Sequence, residues 1–380
     1  MRKRANGRPG GLPGQIALVL QGVGAQGAHQ MGVCEALHDS GIEPDWIIGT
    51  SVGAITGAIA AGNPPAARRG VLRDFWSRIA ADAAGGGTGP DTASVAALVR
   101  GARWASTPDP AAGRSLPASM PTHPPRWHPQ GALAHALEDL VDFTYLNAAG
   151  PRLTVGAVHV RSGELRWFDT AAMALASEHV LASCALPPAF AGVRVDGELY
   201  WDGGIHASTA IEAAFDDSPR RDTVVFAVQP WSAAGGEPGS IWAALGRRKE
   251  IQHAGRADSQ LRCQAQVHRM RHMIRDLLER LPANARDDPE VAEIACHGCS
   301  TRLHVVRLIA PEGTACGPLQ DAALGAAAIE SRRAAGYQLG LAAAAAQPWR
   351  QGADPRQGVL LHEFRAPDAL APVAHGHALR

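Results

Sequence analysis

Two short apolar runs near the beginning of the chain, each followed by glycine, restrict its fold more than any other feature. Residues 16–20 and 46–48 are too short for amphipathic helices, and their continuous apolar character is typical of strands buried on both faces of a parallel sheet. Residues 28–37 repeat apolar side chains at helical spacing, and the small residues 54–61 predict a closely packed helix. The order strand, helix, strand, helix predicts an α/β fold with a mostly parallel sheet.

Alternating and apolar segments further along the chain predict more elements of the same domain. Residues 152–168 and 192–201 each predict a hairpin, and the second turns at Asp196-Gly197, a strong local turn signal. Buried strands are expected at 223–228 and 303–308, an amphipathic helical stretch at 241–281, and an alanine-rich helix at about 322–345.

The length and charge of the chain favour one dominant domain that does not act on nucleic acid. Its 380 residues suffice for a large α/β domain with an appended region. The chain carries 36 basic and 36 acidic residues, which gives a formal net charge of zero. Nucleic-acid binding requires a basic excess on some face, so this balance argues against nucleic acid as the main partner.

Cysteine usage and the absence of long apolar runs indicate in which cellular compartment we expect the protein. The six cysteines are few and scattered, which favours reduced thiols over a disulfide framework. The first apolar run, residues 16–20, is shorter than a signal peptide or a membrane-spanning helix requires. We therefore expect a cytoplasmic protein that is soluble or bound peripherally to a membrane or lipid surface.

A Gly-x-Ser-x-Gly motif at residues 49–53 makes Ser51 a candidate nucleophile. In a nucleophile elbow the glycines flank a sharp strand-to-helix turn, which lifts the serine hydroxyl above the sheet and directs backbone N–H groups at the developing oxyanion. The five residues alone are a weak signal in a chain rich in glycine, alanine and serine. Their position after one expected strand and before one expected helix is what favours the catalytic interpretation over a plain turn.

A glycine-rich segment at residues 22–27 allows two interpretations. Read as Gly-x-Gly-x-x-Gly, it is typical of a dinucleotide site, which also needs an acidic residue at the end of the second strand. Asp45 lies at roughly the right distance from this segment along the chain, but it precedes the second strand. The Ser51 motif occupies the end of that strand. The same N–H groups could instead stabilise an oxyanion.

Asp202, followed by Gly203 and Gly204, is a candidate general base. An acidic residue with two glycines is most often an ordinary turn when it stands alone. A carboxylate acting as a base needs a dry site and a direct hydrogen bond to the serine hydroxyl, and the glycines would allow this close approach.

Three ordered motifs resemble those of patatin-like phospholipases. The segment from Leu20 to Ala28, the Gly-x-Ser-x-Gly motif, residues 182–188 (Ala-Ser-Cys-Ala-Leu-Pro-Pro) and residues 200–204 (Tyr-Trp-Asp-Gly-Gly) follow one another as in that family, most closely in its bacterial branch with a C-terminal extension. The resemblance implies a patatin-like three-layer fold with a central sheet flanked by helices, and a helical C-terminal extension. It further implies a Ser–Asp dyad hydrolase acting on a lipid or acyl ester, with no metal and no organic cofactor.

The resemblance also assigns individual residues and segments. The catalytic residues would be Ser51 and Asp202, the oxyanion hole Gly22, Val23, Gly24 and Ala25, and the supporting motif residues Gln26, Gly27, Gly49, Gly53, Gly203 and Gly204. The expected organisation is a flexible leader (1–14), a hydrolase domain (15–230) that contains an irregular lid or insertion (81–130), a mainly helical C-terminal extension (231–346) and a disordered tail (347–380).

The glycine loop departs from the family pattern and leaves other functions open. Val23 replaces a glycine and Gln26 occupies a position that is usually basic, so a catalytically impaired relative that binds lipid or protein is one alternative. A Ser-His-Asp esterase that uses His29, His179 or His206 is another.

Two further patterns have plainer interpretations. Cys296 and Cys299 have metal-ligand spacing, but a structural zinc site normally needs four ligands, so we interpret them as thiols without metal. The arginine-rich stretch 247–280 could rest on an anionic lipid surface or could pack its apolar face on its own domain.

Overall fold

The structure is a computed structural model of the full chain. It describes residues 11–12, 14–22, 24–83, 130–187, 190–206, 210–311, 324–351 and 357–365. Most of the expected leader (1–14), the greater part of the expected lid (81–130) and Val23 lie outside these residues. Among the helices it describes, none combines the length and apolar character needed to cross a membrane.

One mixed sheet, nine-stranded over the described residues, forms the centre of the molecule. Its main path runs in the order β5-β6-β3-β2-β1-β7-β8-β9, and β4 pairs with β3 outside that path. Strands β1, β2, β3, β7, β8 and β9 are mutually parallel, whereas β4 and β6 lie antiparallel to β3, and β5 antiparallel to β6. The strands are β1 (Gln15–Leu20), β2 (Trp46–Thr50), β3 (Arg152–His159), β4 (Leu165–Asp169), β5 (Val193–Val195), β6 (Glu198–Asp202), β7 (Thr223–Gln229), β8 (Leu303–Ile309) and β9 (Val359–Arg365).

Helices cover both faces of this sheet, which confirms the expected three-layer α/β fold. One face packs mainly against α1, α2, α3 and α11, and the other against α7 and α8. The described helices are α1 (Gly27–Asp39), α2 (Val52–Ala61), α3 (Pro65–Ala83), α4 (Gln130–Leu140), α5 (Phe143–Ala148), α6 (Ser177–Ser183), α7 (Glu212–Phe215), α8 (Ile241–Arg280), α9 (Ala283–Arg286), α10 (Pro289–Ala295) and α11 (Ala326–Ala346).

The period of two residues along a strand explains why residues 16–20 of β1 are all apolar. Leu18 and Leu20 point into the larger core under α1 and α2, whereas Ala17 and Val19 point into the core under α8. A strand with helices on both sides has no solvent face, so its sequence does not alternate between polar and apolar residues. The two strand–helix units expected at the start of the chain are therefore both present.

Helix α11 packs unusually closely on α1, although about 300 residues separate them in sequence. A Cβ added to Gly336 of α11 would lie 2.1 Å from the carbonyl oxygen of His29 in α1, so the two backbones touch. The buried carboxylate of Glu35 accepts hydrogen bonds of 2.6 Å from Arg73 of α3 and from Arg333 of α11. Glu35 thereby connects three helices through charge-assisted hydrogen bonds in a dry environment.

The C-terminal part of the chain differs from its expected organisation. Residues 359–365, expected to belong to a disordered tail, form β9, which pairs in parallel register with β8 along its whole length. The expected domain boundary at residue 230 does not coincide with an edge of the sheet, because β8 and β9 continue the same sheet beyond β7. Neighbouring prolines make the tail resemble a disordered segment in sequence, whereas pairing with a buried strand supplies its order.

Replacement of Gly336 by alanine tests the contact between α1 and α11. The added methyl group would overlap the His29 carbonyl, so we expect Gly336→Ala to lower the free energy of unfolding by about 2 kcal/mol or more. Gly255 of α8 has open space at its Cβ position, and Gly255→Ala should be neutral or stabilise by up to about 1 kcal/mol. Urea unfolding of both variants measures the difference, and equal effects would contradict close packing of the two helices.

Candidate active site

Ser51 lies on a sharp turn between β2 and α2. Its backbone has φ 55° and ψ −132°, a strained conformation for a residue other than glycine. The turn is possible because its flanking glycines let neighbouring backbone atoms come very close. A Cβ on Gly53 would lie 2.1 Å from the Leu20 carbonyl oxygen, and a Cβ on Gly49 would lie 2.4 Å from the Gly53 carbonyl oxygen. The geometry is that of a nucleophile elbow, with the side chain held above the carboxyl ends of the strands.

The glycine loop after β1 lies directly against Ser51. A Cβ on Gly22 would lie 2.1 Å from the Ser51 Cβ and 3.0 Å from its Oγ, so the loop backbone borders the hydroxyl. Gly24 has φ 43° and begins a 3-10 turn, Gly24–Gln26, whose residues are all buried. Gly27 follows as the first residue of α1 and packs against Trp76. The effect of Val23 on this loop stays a sequence-based expectation.

Ser183 and Cys184, for which the sequence predicts no role, hold the Ser51 turn in place. The Ser183 hydroxyl accepts a 3.0 Å hydrogen bond from the Ser51 N–H and donates one of 2.6 Å to the Gly156 carbonyl oxygen of β3. The Cys184 thiol donates a hydrogen bond of 3.1 Å to the Ser51 carbonyl oxygen. Both residues belong to the segment 182–188 that carries the family resemblance, yet nothing in the sequence indicated these contacts.

Asp202 is brought to Ser51 by the second hairpin. It is the last residue of β6, and a Cβ on the following Gly203 would lie 2.2 Å from the Gly156 carbonyl oxygen, so the chain passes very close to β3. The Asp202 carboxylate accepts a 2.7 Å hydrogen bond from the Gly204 N–H, and the neighbouring Ser51 hydroxyl lowers the pKa of this carboxyl as a hydrogen-bond donor. The two candidate catalytic residues, about 150 positions apart in sequence, are therefore neighbours in the fold.

The Asp202 carboxyl is buried and holds its proton more tightly than an ordinary aspartate. Burial raises its pKa from 3.8 to about 6, and the hydrogen bonds from Ser51 and Gly204 oppose this effect without cancelling it. A carboxyl with a pKa near 6 is ionised at neutral pH and is a stronger base than a solvated one. Such a group can accept a proton from a hydroxyl that it already contacts.

The histidines offered as alternative bases point elsewhere. The Nδ1 of His179 accepts a 3.0 Å hydrogen bond from the Ala176 N–H, and its ring packs edge-on against Phe168. Burial lowers the pKa of His29 to about 4, and its hydrogen bond involves the backbone of Arg332. Among the described residues, no histidine contacts the side chain of Ser51 or Asp202.

The dinucleotide interpretation does not fit the position of Asp45. This residue precedes β2 and accepts a 2.9 Å hydrogen bond from the Ile16 N–H at the start of β1. Because β1 and β2 are parallel, Asp45 lies at the opposite edge of the sheet from the glycine loop. A ribose bound at that loop would be out of its reach.

Comparisons with known proteins agree on one family. The model of patatin-like phospholipases matches residues 18–215, slightly more than half of the chain, and a second model, described as patatin phospholipase, matches residues 251–356. No curated protein matches the sequence significantly. The crystal structure of VipD from Legionella pneumophila is similar at 16% identity and a TM-score of 0.37, covering 87% of this chain and 66% of VipD.

Replacement of Asp202 by asparagine should reveal the cost of burying its charge. A raised pKa means that folding favours the protonated form, so this stabilisation is full below pH 3.8 and is lost as the pH rises through about 6. Asp202→Asn, which stays neutral, should be more stable than the unmodified chain by up to about 3 kcal/mol near pH 8 and similar to it near pH 4.

Urea unfolding at both pH values measures this difference. Asp196→Asn, at an exposed hairpin turn, is the matched control and should show no such pH dependence. A gain in stability that is the same at both pH values would contradict the raised pKa.

Proposed function

Since the chain belongs to the patatin-like phospholipase family, we propose that it is a serine lipid acyl hydrolase with Ser51 as nucleophile and Asp202 as general base. The family supports lipid hydrolysis in general, and the dyad is the finer part of the proposal. The observation that carries it is the position of the Ser51 hydroxyl, as a hydrogen-bond donor, beside a buried carboxyl whose pKa is about 6.

In the proposed acylation step, Ser51 Oγ attacks the ester carbonyl carbon while Asp202 accepts the hydroxyl proton. The glycine loop, Gly22–Gly27, and the first N–H groups of α2 stabilise the negative oxygen that forms on the tetrahedral intermediate. The C–O bond to the alcohol then breaks, and Asp202 returns its proton to the leaving alkoxide. The products of this step are the free alcohol and an acyl ester on Ser51.

In the proposed deacylation step, Asp202 accepts a proton from water, which attacks the acyl carbon. Collapse of the second tetrahedral intermediate releases the fatty acid and returns the proton to Ser51. In both steps Asp202 takes up the proton and returns it, so the proposed mechanism uses neither a metal ion nor an organic cofactor.

Ser183 and Cys184 support this chemistry as positioning residues. Their hydrogen bonds to the N–H and carbonyl oxygen of Ser51 hold the turn that directs its hydroxyl at Asp202. In a Ser-His-Asp triad a histidine lies between the serine and the carboxylate. Here the Asp202 carboxyl is itself beside the Ser51 hydroxyl, which favours the dyad over the triad.

Loss of either dyad member should abolish hydrolysis. For p-nitrophenyl esters of increasing chain length, we expect Ser51→Ala and Asp202→Asn each to lower kcat by about 1000-fold or more, because the nucleophile and its base act as one unit. His206→Ala, at an exposed position beside the dyad, is the control and should retain activity. In the unmodified chain, kcat/KM should rise with pH through about 6, because only ionised Asp202 can accept the proton.

Two results would contradict the dyad. One is full activity of Asp202→Asn combined with loss of activity in His29→Ala, His179→Ala or His206→Ala. The other is failure of a fluorophosphonate to label Ser51, together with no ester turnover by the unmodified chain, which would favour the impaired, lipid- or protein-binding relative suggested by Val23 and Gln26.

We further propose that the edge of the sheet that carries Ser51 contacts the lipid surface. Ile205 follows the Asp202 turn directly and is 42% exposed, so its apolar side chain meets solvent beside the proposed base. Helix α8 begins at this edge, where Arg247 donates a 3.0 Å hydrogen bond to the Ser232 carbonyl oxygen just beyond β7. An aggregated substrate would meet Ile205 as its ester group reaches Ser51.

Replacement of Ile205 should separate lipid contact from chemistry. We expect Ile205→Ser to lower hydrolysis of phospholipid vesicles by about tenfold, because a buried apolar side chain contributes roughly 1.5–3 kcal/mol, and to leave a soluble short-chain ester unaffected. Leu277→Ser, at a 62% exposed position near the far end of α8, is the matched control and should change neither rate. Equal loss on both substrates would contradict the proposed contact.

A further inference from the structure

Two histidines and a cysteine converge at the far end of α8. One ring nitrogen each of His268 and His272 and the Sγ of Cys299 lie within 4.8 Å of one another, and all three residues are buried. Among the described residues this is the one group of three or more His, Cys, Asp or Glu side chains close enough to share a metal ion. Two ligand atoms on a tetrahedral zinc ion lie roughly 3.5 Å apart, so small side-chain rotations would close the cluster around one ion.

The two histidines occupy positions where α8 otherwise buries apolar side chains. Ala254, Ala257 and Leu261 form the buried face of the helix, and His268 and His272 continue it. Residues four apart lie on the same helix face, so both rings point at the same place. Burial of two polar rings there needs a compensating interaction.

The hydrogen bonds of the rings leave a nitrogen lone pair without a partner. The Nε2 atoms of His268 and His272 lie 2.8 and 2.7 Å from the Thr301 carbonyl oxygen, which can only accept, so both rings carry their proton on Nε2. The Nδ1 of His268 is buried and, within the described part of the chain, makes no hydrogen bond. A metal-ligating histidine commonly donates its other ring N–H to a backbone carbonyl, as both rings do here.

The surrounding backbone supports the cysteine and encloses the rings. The Cys299 N–H donates a 3.1 Å hydrogen bond to the Arg271 carbonyl oxygen of α8, and its Sγ lies 2.9 Å from the Thr301 Oγ1. A Cβ on Gly358 would lie 2.4 Å from a ring carbon of His268, so the backbone entering β9 packs directly on the histidines. Three segments distant in sequence therefore meet at this cluster.

We propose that His268, His272 and Cys299 bind a zinc ion that fastens α8 to the sheet. Two imidazoles and a thiolate are ligands that zinc prefers, whereas Mg²⁺ and Ca²⁺ need oxygen ligands. Water would complete a tetrahedral shell, and the Cys299 thiol would release its proton on binding.

The proposed zinc site lies away from the proposed hydrolase site. Thr301 and Gly358 precede the parallel strands β8 and β9, so the cluster is at the edge of the sheet opposite to the carboxyl ends where Ser51 lies. The proposed zinc ion therefore takes no part in ester hydrolysis, and its binding is independent of the proposed hydrolase function.

The structure also separates the two cysteines of the Cys-x-x-Cys motif. Cys296 is exposed, and its thiol donates a 2.8 Å hydrogen bond to the Glu293 carbonyl oxygen, whereas Cys299 faces the histidines. The motif thus contributes one ligand, and the other two come from α8, about 30 residues earlier in the chain.

Zinc binding by the full chain tests the proposal. The chelator-treated protein is titrated with Zn²⁺ by calorimetry, its zinc content is measured after dialysis, and Co²⁺ is added separately to detect thiolate-to-cobalt charge-transfer absorption. We expect one zinc per chain, a higher Tm with Zn²⁺ than with Mg²⁺, and a charge-transfer band that shows a bound cysteine.

Single substitutions distinguish zinc binding at the proposed site from zinc binding by other thiols of the chain. Cys299→Ser and His272→Asn should each weaken Zn²⁺ binding by more than about 100-fold, because loss of a ligand costs more than loss of a second-shell partner. Cys296→Ser and Ser51→Ala should bind like the unmodified chain. Circular dichroism of metal-free Cys299→Ser verifies that the variant folds, and Co²⁺ absorption of His272→Asn gives an independent measurement.

Three results would overturn the proposal. They are absence of stoichiometric zinc in the unmodified chain, equal zinc binding by Cys299→Ser, and loss of binding in Cys296→Ser to the same extent as in Cys299→Ser. Because Ser51→Ala is expected to bind zinc normally, failure of the hydrolase proposal leaves this test unaffected.

Discussion

The strained backbone of Ser51 is the constraint on which the active-site edge of the molecule depends. A serine at φ 55° has a higher energy than one in a strand or helix, so surrounding contacts must hold it there. Those contacts come from both neighbouring strands: the Leu20 carbonyl oxygen borders Gly53, and β3 supports Ser51 through Ser183. The order of β1, β2 and β3 in the sheet is thus also what fixes the position of the hydroxyl.

The second constraint is the burial of a carboxyl group beside that hydroxyl. Asp202 reaches Ser51 because an antiparallel hairpin joins the edge of an otherwise parallel region, where β6 pairs with β3. Within this dry environment the Ser51 hydroxyl and the Gly204 N–H are the groups, among the described residues, that oppose the desolvation of its charge. The fold therefore tolerates an electrostatic cost at the one position where a base of raised proton affinity is useful.

The sequence alone predicts the strands and the turn that carries Ser51 well, because doubly buried strands are continuously apolar and a Gly-x-Ser-x-Gly turn has strict local requirements. It assigns Asp202 only through the family resemblance, since contact between residues 51 and 202 depends on tertiary packing. The roles of Ser183 and Cys184 and the meeting of Cys299 with His268 have no local signal. The sequence predicts a disordered tail where β9 lies, because the order of this strand comes from pairing with β8 and not from its own composition.

The connection between Glu35 and Arg333 has a consequence for synthesis of the chain. The nucleophile elbow is translated early, yet α1 acquires its packing partner only when α11 has left the ribosome, almost 300 residues later. Until then the face of α1 that α11 covers stays open, with its buried glutamate lacking one of two guanidinium partners. Such long-range contacts slow folding, so a nascent chain would carry a completed Ser51 turn on an unfinished scaffold for most of its translation.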